Sequence, residues 1–493
     1  RYTTYQAKDD ITKFGTRHTF TMGGTIQRYA SENVFYSLQQ SAYVYNSLAD
    51  FYTDANSFLA NPNRTTSPVT LRRFQVRYMN IPGLSKPLQP LRVWNGGGYA
   101  QDEWRPKTNV TVTAGVRVDV SKFGDTAFPN PAVDALTFRD EKGAAVQYKS
   151  GNLPEPKLLW SPRGAVNWDV QGKQTTQVRA GTGIFSGPPP YVWISNQIGQ
   201  TGLLTGFDQL DNTTARPFNP NPDTYKPKTV TGASAASFEF NVTDPNFKFP
   251  QVWRTNLALD RRLPGGLTST TEFLYNRDLN GIYYINANLP AAQTAFAGVD
   301  NRPRWTANRI NNGVPAITAA YVMKNQNIGR SWNISQMLSK NLYHGLTLKG
   351  AYSYGMSRNT IDPGSNASGS WLGNAVSRDP NNPGLGLNNA AQGHRVFAQA
   401  SYTKQYFGFG ATTISTFFEA KPSYPNFSTT ASYVFSGDMN GDGISGNDLI
   451  YIPRNQSEMN FVQFTANGVT YTPAQQAAAW DAYIAQDPYL SQH

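Results

Sequence analysis

From Val110 to Val120 the chain alternates with a period of two. Val110, Val112, Ala114, Val116, Val118 and Val120 fall on one face, and Thr111, Thr113, Arg117 and Asp119 on the other. That pattern predicts a strand with one oily and one wet side. Leu346, Leu348, Tyr352, Tyr354 and Met356 oppose Thr347, Lys349, Ala351 and Ser353 in the same way. So do Trp253, Thr255, Leu257 and Leu259 against Arg254, Asn256 and Asp260, and Trp332, Ile334 and Leu338 against Ser331, Asn333, Ser335 and Ser339. Roughly fourteen segments read as such strands, each near the ~9 to 11 residues that cross a bilayer at a tilt. A charge in hydrocarbon costs several kcal/mol, so the even-numbered face of Val110 to Val120 is expected to meet lipid, with Arg117 and Asp119 pointing inward.

The connections alternate in length. Arg105 to Asn109, Gln171 to Gln174 and Pro264 to Gly266 are short links of polar, Gly or Pro residues, as hairpins require. Ser121 to Leu159, Ser186 to Phe249 and Arg358 to Gln392 are long. Short turns on one rim and long loops on the other predict an all-β fold, a large antiparallel transmembrane β-barrel. A propeller or sandwich would show a fixed repeat or compact connections throughout. Two helical islands sit in the loops. Ser47 to Asp50 opens one that runs to about Leu59, and Thr472-Pro473-Ala474-Gln475 caps an Ala-rich run to Gln486, stopped by Asp487-Pro488.

Composition narrows this picture. Tyr 27, Phe 27 and Trp 10 with Gly 42 and Pro 32 suit strands, turns and interfacial girdles. No apolar run approaches the roughly 18 residues of a spanning helix, so any membrane crossing is by strands. The absence of cysteine excludes disulfides, thiolate metal sites and Cys nucleophiles. The net charge of +11 is scattered along the chain. A nucleic-acid footprint would cluster, so no nucleic-acid partner is expected.

Four histidines, His18, His344, His394 and His493, form no His-Glu-x-x-His pair. No nucleophile elbow or phosphate-binding loop occurs, and Gly181 to Gly187 misses the dinucleotide pattern by one residue. The sequence therefore carries no enzyme signature. Its sharpest chemical motif is Asp438-x-Asn440-x-Asp442-Gly443. Oxygen side chains at alternate positions wrap a hard cation while Gly permits a sharp turn, which makes Asp438, Asn440, Asp442 and Asp448 candidate Ca²⁺ ligands. Leu449 stands where the EF-hand pattern wants Glu, so Asp448 would close the shell; the bland reading is a polar turn. The Pro188-Pro189-Pro190-Tyr191-Val192-Trp193 segment offers rigid aromatics, so Tyr191 and Trp193, with Trp305 and Trp371 in other loops, are candidate ligand contacts.

Gly98-Tyr99-Ala100-Gln101-Asp102-Glu103-Trp104-Arg105-Pro106, running into Ala114-Gly115-Val116-Arg117-Val118-Asp119, resembles a barrel hairpin of the TonB-dependent receptors. Ser161-Pro162-Arg163-Gly164 with Asn167-Trp168-Asp169, Arg179 to Phe185, Pro189 to Gln197, Phe249 to Arg254 and Asp438 to Pro453 resemble the Oar-like branch of that family. The resemblance spans essentially all of residues 1–493 and implies part of a 22-stranded barrel, filled in the family by an N-terminal plug preceded by an energy-coupling box. Against that pattern the chain reads as the middle and C-terminal-side part of the barrel domain, without coupling box, plug, first strands or last strands.

The expected function is an outer-membrane receptor and transporter in a Gram-negative cell envelope. Its long loops would capture a small molecule, glycan or peptide, and inner-membrane energy would drive import. The expected partners are outer-membrane lipid and lipopolysaccharide, and the TonB system acting through the N-terminal region. The alternatives are a structural or adhesion barrel without transport, and a secreted β-rich carbohydrate-binding protein.

Overall fold

The structure is a computed structural model that describes residues 2–34, 36–124, 128–188, 190–388, 390–391, 393–422 and 433–492. Pro189, Gln392 and His493, which enter the sequence reading, lie outside the described residues.

Twelve strands follow one another in a single antiparallel meander: β1 (Tyr2–Phe14), β2 (His18–Val34), β3 (Leu88–Lys107), β4 (Val110–Phe123), β5 (Leu159–Asp169), β6 (Thr176–Ser186), β7 (Gln251–Leu263), β8 (Leu267–Asp278), β9 (Arg330–Asn341), β10 (Leu346–Asn359), β11 (Gly393–Tyr406) and β12 (Gly410–Ala420). Gly386–Leu387 adds a short pairing to β10. Each strand pairs with its sequence neighbours, so turns and loops must alternate between rims. The links 15–17, 108–109, 170–175, 264–266, 342–345 and 407–409 line one rim; the described residues of the long segments between 34 and 88, 123 and 159, 186 and 251, 278 and 330, and 359 and 393 line the other. The hairpin expected at Arg105 to Asn109 is shorter than that. β3 runs on to Lys107 through a register shift after Trp104, because Pro106 lacks an N–H and is accommodated at an irregularity.

The two faces separate as the alternation requires. Trp104 lies opposite Val112, and Trp168 opposite Val110, toward the turn rim. Trp94 lies opposite Lys122, and Trp160 opposite Val118, toward the loop rim. Between these exposed indoles run Val112–Val166, Ala114–Gly164 and Val116–Pro162, an apolar band flanked by two aromatic girdles. The other face is polar. Arg117 Nε donates to both oxygens of Asp119 at 2.9 Å, and its Nη2 donates to Thr25 Oγ1 at 3.0 Å. Arg179–Asp260 and Arg395–Glu419 form further ion pairs at 2.8 and 2.6 Å. Arg117 and Asp119 therefore point away from the lipid-facing band. Among the described residues no helix is long and apolar enough to cross a membrane.

The long loops build a cap of their own. Ser237–Thr243 runs parallel to Ala316–Gln326, whose other edge takes Gly281–Asn286 antiparallel. Leu71–Met79 lies between Ala42–Val44 and Thr205–Thr213. One apolar core joins Phe240, Tyr284, Ile285, Val322 and Met323 of the cap to Leu91 and Val93 of β3. The helical islands form as their caps predict. Leu48–Ala60 starts at Ser47, whose side chain accepts from Asp50 N, and Pro473–Gln486 starts at the Thr472–Gln475 capping box.

Candidate functional site

Where cap meets barrel, the helix Val192–Ile198 is held against the wall. The Tyr191 ring lies 4.6 Å from Tyr29 and 6.4 Å from Phe249, and its hydroxyl accepts from Asn95 Nδ2 at 2.8 Å. Burial pushes the Tyr191 phenol above its usual range, against the Asn95 hydrogen bond. Asn95 in turn donates to Gln27 and accepts from Ser121, and Asn33 Nδ2 donates to Asn196 Oδ1 at 2.8 Å. Asn196 Nδ2 reaches the Ser365 carbonyl at 2.6 Å, tying a third loop to the helix. A cavity of about 230 Å³ adjoins this junction, lined by Gln27, Asn95, Arg117, Asp119, Ser186 and Phe249 among others. It offers amides, one ion pair and an aromatic ring, a lining suited to a polar ligand or chain segment.

The four candidate aromatics are not brought together as one surface. Tyr191 and Trp193 pack partly buried against the cap core. Trp305 is 4% exposed; its indole Nε1 donates to the Pro290 carbonyl at 2.9 Å and its backbone N–H to the Asn440 carbonyl at 2.7 Å. Trp371 is 3% exposed and tilts against Tyr321 at 5.4 Å. Trp305 and Trp371 thus hold loops to one another.

The Asp438 to Asp448 loop is wound by its own side chains. Asp438 accepts from Gly441 N and Gly443 N at 2.7 and 2.9 Å, Asn440 Oδ1 from Asp442 N at 2.8 Å, and Asp442 Oδ1 from Ile444 N at 2.9 Å. Asp448 Oδ2 accepts from Met439 N at 2.7 Å and Asn440 N at 3.2 Å. Gly441 (φ +83°) and Gly443 (φ +94°) occupy left-handed conformations, and a Cβ on Gly441 would run into the Trp305 carbonyl. Burial, with Asp448 and Asp438 nearby, pushes the Asp442 carboxyl up to about 7 against its own hydrogen bonds. Burial and Asp438 also raise Asp448. The loop brings Asp438, Asn440, Asp442 and Asp448 into one hydrogen-bonded turn. Among the described residues no group of three His, Cys, Asp or Glu side chains is placed to hold a metal ion.

The sequence reading missed the charges that knit the cap together. Lys324 contacts Glu141 at 2.8 Å and Asp244 at 2.9 Å, which outweigh its burial and hold its pKa above the ordinary lysine value. Burial raises Glu239, opposed by Asn241 and Arg77. Arg302 pairs with Asp300 and donates to the Ser377 and Leu449 carbonyls, joining three segments. The partners of Lys324, and the Ser377 and Leu449 carbonyls that Arg302 reaches, lie far apart in sequence, so no local spacing signals them.

The profile of the family described as "Outer membrane beta barrel domain" matches residues 1–422. The chain belongs to that family. Its place is the cell outer membrane, and its strand meander is the wall of the family's barrel. No curated protein matches the chain. Among solved structures it is similar to the FrpB iron transporter from Neisseria meningitidis, at 11% identity and TM-score 0.40, over 82% of this chain and 41% of that one. It is also similar to the copper transporter OprC (11%, TM-score 0.41, 82% and 42%) and to the outer membrane transporter YddB from Escherichia coli (12%, TM-score 0.42, 84% and 41%). The chain thus spans about two fifths of the length of these structures.

Proposed function

We propose that the chain is barrel wall and ligand-capturing cap of an outer-membrane receptor and transporter of the TonB-dependent type, in its Oar-like branch. One observation carries the reading. The long loops are fused through shared sheets and a continuous core into a structured cap, and this cap is seated by Tyr191 and Asn196 on a charged, amide-lined interior. A barrel serving only as an anchor needs neither a built cap nor such an interior. The ligand class is a small molecule, glycan or peptide with polar groups for the cavity beside Arg117 and Asp119. Import would draw on inner-membrane energy through the TonB system, acting on the family's N-terminal region.

The proposal extends to Ca²⁺ at Asp438 to Asp448. Its support is crowding, not an assembled ligand shell: burial, with Asp448 and Asp438 nearby, raises the cost of ionising Asp442, burial and Asp438 raise that of Asp448, and a divalent cation would relieve the like-charge part.

The test uses the full-length protein in its own cells. Depletion of small polar solutes, glycans and peptides from the medium is compared between cells with and without the protein, and with and without TonB. Depletion of one class that needs both supports transport. Capture at the surface that survives loss of TonB would favour adhesion.

A further inference from the structure

Directly opposed residues on adjacent strands share a face, and one such row runs Trp253–Arg277–Arg330–Arg358 across β7, β8, β9 and β10. Trp253 stands on the lipid-facing side: it follows the Ile184 and Thr182 face of β6, and its indole donates to Thr182. Three arginines therefore stand side by side on the outer wall, at the loop-side ends of their strands. Like charges directly opposite one another destabilise a sheet. None of the three is paired with a carboxylate among the described residues, and Arg358 Nε is buried without a hydrogen-bond partner.

The next rows toward mid-wall are Tyr275–Trp332–Met356 and Phe273–Ile334–Tyr354, aromatic and aliphatic throughout. A cationic row above two apolar rows matches an amphiphile with an anionic head and acyl tails. A second place repeats the arrangement: Arg28 and Lys122 flank Trp94 in one row, with the Arg28 guanidinium 5.9 Å from the indole centre.

We infer that Arg277, Arg330 and Arg358 form a site on the outer wall for the phosphorylated headgroup of a glycolipid of the outer leaflet. Arginines rooted on strands one separation, ~4.8 Å, apart can turn their guanidinium groups onto the oxygens of one phosphomonoester. The anion then turns a repulsive row into a bridged one. The loop rim is the extracellular side of such barrels, where those headgroups lie. The inference rests on family membership and on which face is outward; it does not depend on transport.

The experiment is native mass spectrometry of the detergent-purified full-length protein, titrated with bisphosphorylated lipid A and with the same lipid stripped of both phosphates. Arg277→Gln/Arg330→Gln/Arg358→Gln is compared with wild type, with the Arg→Lys triple variant, and with a control carrying Arg261→Gln, Lys340→Gln and Lys404→Gln near the turn rim. A heat-modifiable gel shift confirms that each barrel is folded. The expected result is at least roughly tenfold weaker binding of the phosphorylated lipid by the Gln triple, because its three positive charges beside the anionic headgroup are gone. Lys should restore most of it, the control should bind as wild type, and the stripped lipid should not discriminate among them. Undiminished binding by the folded Gln triple, or equal loss in the control, would overturn the site. Should the Gln triple fail to fold, single Arg→Gln variants carry the same comparison.

Discussion

Asp54, fully buried in the helix Leu48–Ala60, meets Arg64 at 2.8 Å and also accepts from the Tyr45 hydroxyl at 2.8 Å and the Phe218 backbone N–H at 2.9 Å. A buried carboxylate with three partners, Arg64, Tyr45 and Phe218, holds two loops that are far apart in sequence. Asp54→Ala leaves Arg64 buried and uncompensated, so the cap should lose about 3 to 5 kcal/mol, the usual cost of breaking a buried pair from one side. Limited proteolysis checks this. Cleavage within 36–87 and 214–228 should accelerate strongly in Asp54→Ala while the barrel keeps its heat-modifiable mobility. Unchanged cleavage would assign the pair no structural role.

Val116 lies at mid-strand on the lipid face, opposite Pro162, whereas Thr113 shares the interior face with Arg117. Val116→Arg should destabilise the barrel by about 2 to 4 kcal/mol in lipid, and Thr113→Arg by far less, because only the first puts a charge in hydrocarbon. Denaturant titration in vesicles, read by tryptophan fluorescence, gives both values. Equal losses would contradict the assignment of faces.

The barrel wall was legible in the sequence because each of its strands solves a two-solvent problem. Val110 to Val120 and Trp332 to Leu338 must alternate, and alternation needs no partner to be seen. The cap was not legible for the opposite reason. Tyr321-Val322-Met323 is buried on both faces and pairs parallel with Asn241 to Thr243 from another loop, so neither alternation nor a hairpin turn marks it. The same limit applied to the site. Arg117 and Asp119 could be turned inward from the pattern alone, but that Trp305 would spend its indole on the Pro290 carbonyl depends on how distant loops meet.

Acidity should tighten the Asp438 to Asp448 loop in metal-free protein. The Asp442 carboxyl is raised from 3.8 to about 7 in the fold, so between these values the folded state holds a proton that the unfolded state has lost. Stability from this group is therefore present below the unfolded value, falls as pH rises, and is lost above about 7. Hydrogen exchange at the Gly441, Gly443 and Ile444 amides, corrected for intrinsic rate, should show more protection at acid than at alkaline pH. Asp442→Asn should flatten that dependence. A profile as steep in the variant as in the parent would place the titration elsewhere.

Calcium should reverse that pH profile. A cation that gathers Asp438, Asn440, Asp442 and Asp448 needs all three carboxylates ionised, so binding near pH 7 must expel whatever proton Asp442 still holds. Two consequences can be measured by calorimetric titration of Ca²⁺ into detergent-solubilised protein with EDTA-treated loops. The heat at neutral pH should vary with the ionisation enthalpy of the buffer, and that variation should vanish well above pH 7, where affinity should also be higher. Asp442→Ala should lose most of the binding heat. It removes one of three acidic ligands while leaving the Trp305 and Val376 backbone contacts that seat the loop. In hydrogen exchange, Ca²⁺ at alkaline pH should restore to the parent protein at least the protection that acid gives, and should leave Asp442→Ala unchanged. Equal heats for parent and variant would leave the loop as a self-capped polar turn, its carboxylates serving only the N–H groups of Gly441, Gly443, Ile444, Met439 and Asn440.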